Sequence, residues 1–344
     1  MKIIPRDQHS ISRKNISDGA LKVMSRLRKE GHQAYLVGGA VRDLLLGGHP
    51  KDFDIATDAT PETVHALFRN SRIIGRRFRI VHVRFGREII EVTTFRGHHD
   101  NDAEPTSESG GNHSRQSASG LLLRDNVYGT LEEDAVRRDL TVNALYYDAG
   151  KFEVFDHVHG LRDLERRSIC IIGDPAVRFT EDPVRMLRVL RFAAKLEFSI
   201  DPDTARAIPA CAHLLAEIPA ARLFDEFLKL FMGGHATATF EQLVKHKLLG
   251  YLFPDSAAHM KRDPAGLALV RAAMVSTDKR IAQGKPVTPA FILAALLWPV
   301  VEHRAQVLQE RGDPPMPAMH HAAQEAIADA ARHISIPRRF SQPM

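Results

Sequence analysis

Asp52 and Asp54 stand one residue apart in Lys51-Asp52-Phe53-Asp54-Ile55, soon after the run Leu36-Val37-Gly38-Gly39-Ala40-Val41-Arg42-Asp43. Residues two apart on a strand point to the same face, so the two carboxylates lie side by side. Like charges so placed repel unless a cation lies between them, and oxygen donors suit magnesium. Glycine lacks a Cβ, so backbone N–H groups at Gly38 and Gly39 are free to approach a phosphate. The combination points to metal-dependent chemistry on a nucleoside triphosphate. In nucleotidyl transfer a hydroxyl attacks the α-phosphorus while pyrophosphate leaves, and metal ions held by clustered carboxylates serve both oxygens. A third carboxylate is expected from a neighbouring strand. Glu91 in Ile89-Ile90-Glu91-Val92 and Asp139 in Arg137-Arg138-Asp139 are the two candidates.

Other polar groups extend the site. Paired guanidinium groups at Arg137 and Arg138 suit a triphosphate, and Asp139 offers an acceptor to a ribose hydroxyl. Asn143 follows on the same segment. Arg42, one turn into the helix after the glycines, either supports a phosphate or pairs with Asp43 or Asp52. Residues 180–192 are expected to form one helix with Leu187, Leu190 and Ala194 as its core stripe. Asp182 and Arg185 would then share a face, as an ion pair or as a reader of a base edge, with Arg188 beside them. The histidines show no metal-ligand spacing, and His99-Asp100 belongs to a loop.

These groups need positioning elements. Residues 17–31 carry Ala20, Leu21, Val23, Met24 and Leu27 at helical spacing, with Gly31 as the stop. A buried strand is expected at 34–37, a helix at 40–46, a strand at 53–56, and a helix from Thr60-Pro61 to about Phe68. Residues 79–85 and 88–95 are expected to pair as a hairpin about Gly86. Residues 100–120 are too polar to bury a core and are expected to form a flexible loop. Helix is expected from about Glu132, strands at 142–148 and 152–155, and helix from Asp174 to the end. The pattern is α+β: a mixed α/β head with a small antiparallel-rich sheet, then all-helical domains.

The chain has 344 residues, enough for two or three packed units, with 44% hydrophobic and 26% charged residues. The sequence shows no apolar run near the roughly 20 residues that cross a bilayer, and no apolar signal core at the N-terminus. Cys170 and Cys211 are far apart and form no disulfide or metal pattern, which fits a cytoplasmic setting. A formal charge of +5 favours a polyanionic partner. The arginines cluster, with Arg72, Arg76, Arg77, Arg79, Arg84 and Arg87 in one stretch, as planar phosphate recognition favours.

In this order the segments resemble the class II nucleotidyltransferases of the polymerase-β superfamily, which comprise CCA-adding tRNA nucleotidyltransferases and bacterial poly(A) polymerases. The Gly38-Gly39 and Asp52/Asp54 segments match that family's metal and phosphate motif. Arg137-Arg138-Asp139 with Asn143-Ala144-Leu145 matches its ribose motif. Glu181-Asp182-Pro183-Val184-Arg185 with Leu187-Arg188 matches its base-recognition helix. The resemblance covers about residues 15–255. The basic stretch 73–83, the 95–99 and 121–126 segments, and Ile218–Leu230 look like the poly(A) polymerase branch. The resemblance implies a head (1–160, loop 100–120), a neck (161–235) that selects the base of ATP, and an RNA-binding body (236–344). It implies Mg2+, with Mn2+ as a substitute, at Asp52 and Asp54, and RNA contact at Arg76, Arg77 and Arg79. Its activity would be template-independent addition of AMP to RNA 3′ ends by a monomer, without a membrane, alongside RNA-processing or RNA-decay proteins. A CCA-adding activity is the alternative, and a non-catalytic RNA scaffold a third. Bacterial poly(A) polymerases usually continue into a further helical region and a basic tail, whereas this sequence ends at Met344, as a chain truncated before them would.

Overall fold

The computed structural model describes residues 1–75, 79–97, 115–116, 122–124 and 127–342. They divide into two compact units, Met1–Asp182 and Pro183–Met344. Arg76, Arg77, His98, His99, Asp100 and most of the expected loop 100–120 lie outside the described residues. Within that loop Arg115–Gln116 pairs antiparallel with Leu122–Arg124.

The first unit is built on strands β1 (Lys2–Ile4), β2 (Ala34–Val37), β3 (Asp54–Thr57), β4 (Ser71–Ile74), β5 (Ile80–Phe85), β6 (Glu88–Thr94), β7 (Leu145–Asp148) and β8 (Glu153–Asp156). Among the described residues they form one sheet in the order β1-β8-β7-β2-β3-β6-β5-β4. Every neighbouring pair is antiparallel except β3 with β6. The sheet is wider than the small one expected, because β1 and β4 extend its two edges. The β5–β6 hairpin turns at Gly86, whose φ of 60° lies in the left-handed region that glycine tolerates.

Helices α1 (Asp18–Lys29), α2 (Gly39–Leu45), α3 (Pro61–Leu67), α4 (Leu131–Arg137), α5 (Gly160–Glu165) and α6 (Pro175–Glu181) complete this unit. Ser17 caps α1 by accepting from Ala20 N at 3.1 Å, and Gly31, with φ of 87°, ends it. Ala20, Val23, Met24 and Leu27 of α1 are buried with Val41 and Leu44 of α2 and Phe53 and Ile55 in the larger core. Val37, Ala56, Phe95, Ala135, Tyr146 and Phe155 form a smaller one. Phe53 and Ile55 thus point to the first core and Ala56 to the second, the period of two that a strand imposes. Residues 142 and 143, expected to begin a strand, instead lie in a 3-10 turn over Thr141–Asn143, and β7 starts only at Leu145. Polar bonds hold that turn: Thr141 Oγ1 donates to Asp163 Oδ2 at 2.8 Å, and Asn143 Oδ1 accepts from Arg42.

The second unit contains α7 (Val184–Leu196), α8 (Pro202–Cys211), α9 (Ala220–Phe231), α10 (Ala236–Lys245), α11 (Leu249–Leu252), α12 (Pro254–Met260), α13 (Pro264–Ala282), α14 (Pro289–Glu310), α15 (Pro315–His333) and α16 (Arg338–Ser341). Leu187, Leu190 and Ala194 of α7 are buried, as their spacing predicts. Alanines 318, 322, 326 and 330 recur every fourth residue of α15, and Ala322 and Ala326 pack on Val300, Val301 and Ala305 of α14. Among the described residues one helix, α14, is long and apolar enough to cross a membrane, contrary to the expectation that no stretch came near. Half of its most apolar window is buried inside the protein.

Candidate active site

The site forms where β2 ends, β3 begins and the Gly38 turn leaves the sheet. Val37 is the cross-strand partner of Asp54, and Tyr146 pairs with Val37 from the other side. Directly opposed residues share a face, so Asp54, Val37 and Tyr146 point the same way. Gly38 N donates to Leu145 O at 3.3 Å, tying the turn to β7. Its φ of 75° and ψ of −136° suit glycine almost alone. A Cβ on Gly38 would sit 3.9 Å from each of Asp54 Oδ2, Arg138 Nη1 and Asn143 O. The turn is therefore a cradle with a carboxylate, a guanidinium and a carbonyl at its rim.

The parallel pairing of β3 and β6 sets Asp54 beside Glu91. Asp54 is pushed up to about 6, first by burial, then by the charges of Glu91 and Asp52, with Arg138 opposing. Asp52 is exposed and lies just outside β3, which begins at Asp54 rather than at Phe53. Glu91 is half exposed, with His82 Nε2 3.3 Å from its Oε1. Asp139 Oδ1 accepts from Leu140 N at 2.8 Å. Of the two candidates for third carboxylate, the fold sets Glu91 beside Asp54. Among the described residues no group of three His, Cys, Asp or Glu side chains is gathered to hold a metal ion. The donor chemistry nonetheless fits a hard divalent cation, because Asp54 carries an unfavourable charge that such an ion would relieve.

Arg138 is held by a network that residue spacing did not foresee. Its Nε donates to Asp134 Oδ2 at 3.1 Å and to Tyr146 Oη at 2.8 Å, and its Nη2 donates to Asp134 Oδ2 at 3.0 Å. Tyr146 Oη donates in turn to Asp134 Oδ2 at 2.6 Å. Burial works against the Arg138 charge, but Tyr146 and Asp134 outweigh it and hold the group protonated. Arg137 goes another way, donating from Nη1 to Gly97 O. The two arginines expected to act as a pair therefore bond to different partners.

Arg178 of α6 is a second group that sequence reasoning left among the general basic residues. Its Nη2 donates to the carbonyls of both Arg137 and Arg138 at 2.6 Å, and its Nη1 to Glu181 Oε2 at 2.7 Å. One guanidinium thus grips the backbone that carries the Arg137-Arg138-Asp139 run. The only hint in the sequence was an arginine three residues before a glutamate, the i,i+3 spacing of a helical ion pair.

Arg42 is 1% exposed. Its Nε donates to Asp43 Oδ1 at 2.8 Å and its Nη1 to Asn143 Oδ1. Of the expected alternatives, pairing with Asp43 is the one the structure displays, and the arginine joins the Gly38 helix to the Thr141–Asn143 turn.

The single helix expected over 180–192 is a correction. Helix α6 stops at Glu181, Asp182 is extended with φ of −151° and ψ of 91°, and α7 starts at Val184. The proline at 183 disfavours the α conformation in the residue before it. Asp182 and Arg185 therefore do not share a helix face. Arg185, Arg188 and Arg191 instead form a half-buried stripe on α7, with Arg191 stacked 4.4 Å from the Phe192 ring centroid. Arg79, expected to meet RNA, pairs with Glu62 of α3 at 2.6 Å.

A family model described as the poly A polymerase head domain matches residues 34–170. Another, described as a probable RNA and SrmB-binding site of polymerase A, matches residues 197–260. The poly(A) polymerase I of Salmonella typhimurium is 49% identical over 344 residues, covering 99% of this chain and 73% of that protein. The chain belongs to the poly(A) polymerase family. Its kinship with CCA-adding enzymes is shorter: that of Bacillus pumilus is 40% identical over 229 residues, 67% of this chain and 53% of that protein. The crystal structure of the Bacillus stearothermophilus CCA-adding enzyme in complex with CTP superposes with a TM-score of 0.56 at 27% identity. That match covers 90% of this chain and 82% of the other. Membership makes this poly(A) polymerase relative a nucleotidyltransferase, and the mixed head followed by helices is the family's fold.

Proposed function

We propose that this protein adds AMP from ATP to the 3′ ends of RNA without a template and releases pyrophosphate. The observation that carries the reading is the Gly38 cradle, with Asp54 and Arg138 facing it from opposite charges, in a chain that matches a poly(A) polymerase I along its length. Asp52 and Asp54 would hold Mg2+, or Mn2+ in its place, which supplies charge neutralisation at the attacking and leaving oxygens. Glu91 adds negative charge to that pocket from β6. Gly38 and Gly39 let the backbone approach a phosphate, and Arg138, pinned by Asp134 and Tyr146, presents a fixed positive charge to it. Asp139 addresses the ribose. Arg42 and Asn143 hold the turn, and Arg137 anchors its segment on Gly97. Selection of adenine is assigned to Asp182, Arg185 and Arg188 by their motif.

The reading extends to RNA contact by the basic 76–79 stretch, and to a cytoplasmic monomer working beside RNA-processing or RNA-decay proteins. It also extends to the division into head, neck and body at residues 160 and 235. The test is nucleotide selectivity on a short RNA primer, run beside a tRNA lacking its terminal CCA. Repeated AMP addition to the primer is expected, with Asp52→Ala inactive. Addition of CMP and AMP to the tRNA alone would give the assignment to the CCA-adding enzymes instead.

A further inference from the structure

Helices α13 and α14 leave an apolar groove open to solvent. Leu269, Ala272 and Ser276 of α13 and Phe291, Ala294 and Trp298 of α14 line a cleft of about 400 Å3. Large apolar side chains are exposed along it, Leu269 by 41%, Phe291 by 44% and Trp298 by 38%, and Val275 of α13, outside the lining, is exposed by 53%. On α13 the exposed apolar positions recur as 265, 268, 269, 272 and 275, the spacing of a helix stripe. Such a stripe normally faces a core, and its exposure marks a surface that another element covers.

The charges around the groove say what kind of element. Lys261 and Arg262 precede α13, and Lys279, Arg280 and Lys285 close its far end, all exposed. Asp263 and Asp278 stand among these cations but accept from backbone N–H groups, of Ala265 and of Ala236 and Thr237, and exposed Glu302 lies one turn beyond Trp298. Five cations at the two ends favour an occupant that is acidic outside its apolar contact. The lining favours a peptide over a nucleic acid. Of the eight lining residues only Ser276 has a polar side chain, so the sugars and base edges of an RNA would find few partners. The spacing of Phe291 from Ala294 and Trp298 is three and seven, which matches anchors on an opposing helix.

We propose that the α13–α14 groove docks an acidic amphipathic helix of a partner protein, seated on Leu269, Phe291 and Trp298. The surface lies outside the segment 197–260 matched to an RNA and SrmB-binding region. Trp298 is the only tryptophan of the chain, so its emission reports occupancy directly. The probe is a synthetic helix of about 18 residues, five turns, with leucines on one face and glutamates elsewhere. A lysine-for-glutamate counterpart serves as its control. Titrated into the full chain, the glutamate peptide is expected to shift Trp298 emission to the blue and to saturate. The lysine peptide should bind at least about tenfold more weakly. Leu269→Glu and Phe291→Glu, both at exposed positions, should weaken the glutamate peptide at least about tenfold. Their melting temperature and adenylation of a short primer should stay unchanged. The proposal fails if the glutamate peptide causes no shift, or if the lysine peptide binds as well. It fails too if oligoadenylate or phosphatidylglycerol vesicles give the same shift, or if sedimentation shows the chain pairing with itself through these residues.

Discussion

Asp54 and Arg138 in the sheet unit sit half buried with charges set against burial, whereas the inner face of α14 in the helical unit is entirely apolar. Asp54 is pushed up to about 6, and Arg138 keeps its charge through Asp134 and Tyr146. Ile292, Leu293, Leu296, Val300 and Val301 of α14 are buried without any polar partner to find. The difference separates two uses of a folded interior. In the helical unit, burial itself stabilises, at about 1.5–3 kcal/mol for each large side chain. In the sheet unit, burial works against the ionised carboxylate and makes it respond to any cation that arrives. Substitution at Asp54 should therefore affect chemistry and stability in opposite directions, and substitution on α14 should affect stability first.

The sharpest way to break this contrast is Asp54→Asn. It should lower AMP incorporation by a factor on the order of 10³, about 4 kcal/mol of barrier, while raising stability at neutral pH. The sign follows from linkage. The folded carboxyl keeps its proton up to about 6, above its ordinary 3.8, so between those values the folded state binds more protons than the unfolded chain. Stability from this group therefore falls as pH rises through that window, and Asp54→Asn should gain about 3 kcal/mol at pH 7.5 and nothing near pH 3. Thermal melts at both pH values check it, and an asparagine variant less stable than the parent at pH 7.5 would refute the strained carboxylate. Adding Mg2+ should raise the parent's melting temperature more than the variant's.

On the opposite side of the comparison, Leu296→Ala should cost about 2–5 kcal/mol of stability. ATP affinity of the folded protein, measured by equilibrium binding, should change little. A loss of ATP binding without destabilisation would show the two regions to be less distinct than their interiors indicate.

Arg178 tests whether the site segment depends on its grip from α6. Arg178→Ala should lower kcat/KM by about 10- to 100-fold through misplacement of Arg138 and Asp139. The loss should lie mainly in kcat, with partial recovery in Arg178→Lys, because an ammonium is a single point of attachment. Equal loss in both variants with unchanged kinetics per folded molecule would reduce Arg178 to a fold residue.

The smallest effect is expected for Tyr146→Phe. It removes one donor to Asp134 and one acceptor for Arg138, about 1–2 kcal/mol, visible as a lower melting temperature and a modest rise in KM for ATP.

Much of this was legible in the residues. Short-range patterns set α1, β2, the helix after Gly38 and the β5–β6 hairpin, because caps, glycines and apolar periods act within a few residues. The Gly38-Gly39 and Asp52/Asp54 pairing, the α+β layout and the family resemblance all lie on that level. The edge strands β1 and β4 were missed because an edge strand has weak alternation and takes its place from its neighbour. The α6–α7 break was legible at Pro183 and overlooked in favour of the apolar period that runs through it.

The sequence by itself determined which chemistry the chain carries: adjacent carboxylates, a glycine turn and arginine-rich segments in a diagnostic order. Only the tertiary structure decided which of those groups meet. Glu91 stands beside Asp54 because β3 and β6 pair in parallel, at a register that no local pattern specifies. Arg42 is buried as a strut, and Arg178 reaches back some 40 residues to two carbonyls. Local propensity acts along the chain, whereas register and long-range hydrogen bonds are settled only when separate segments exclude water together.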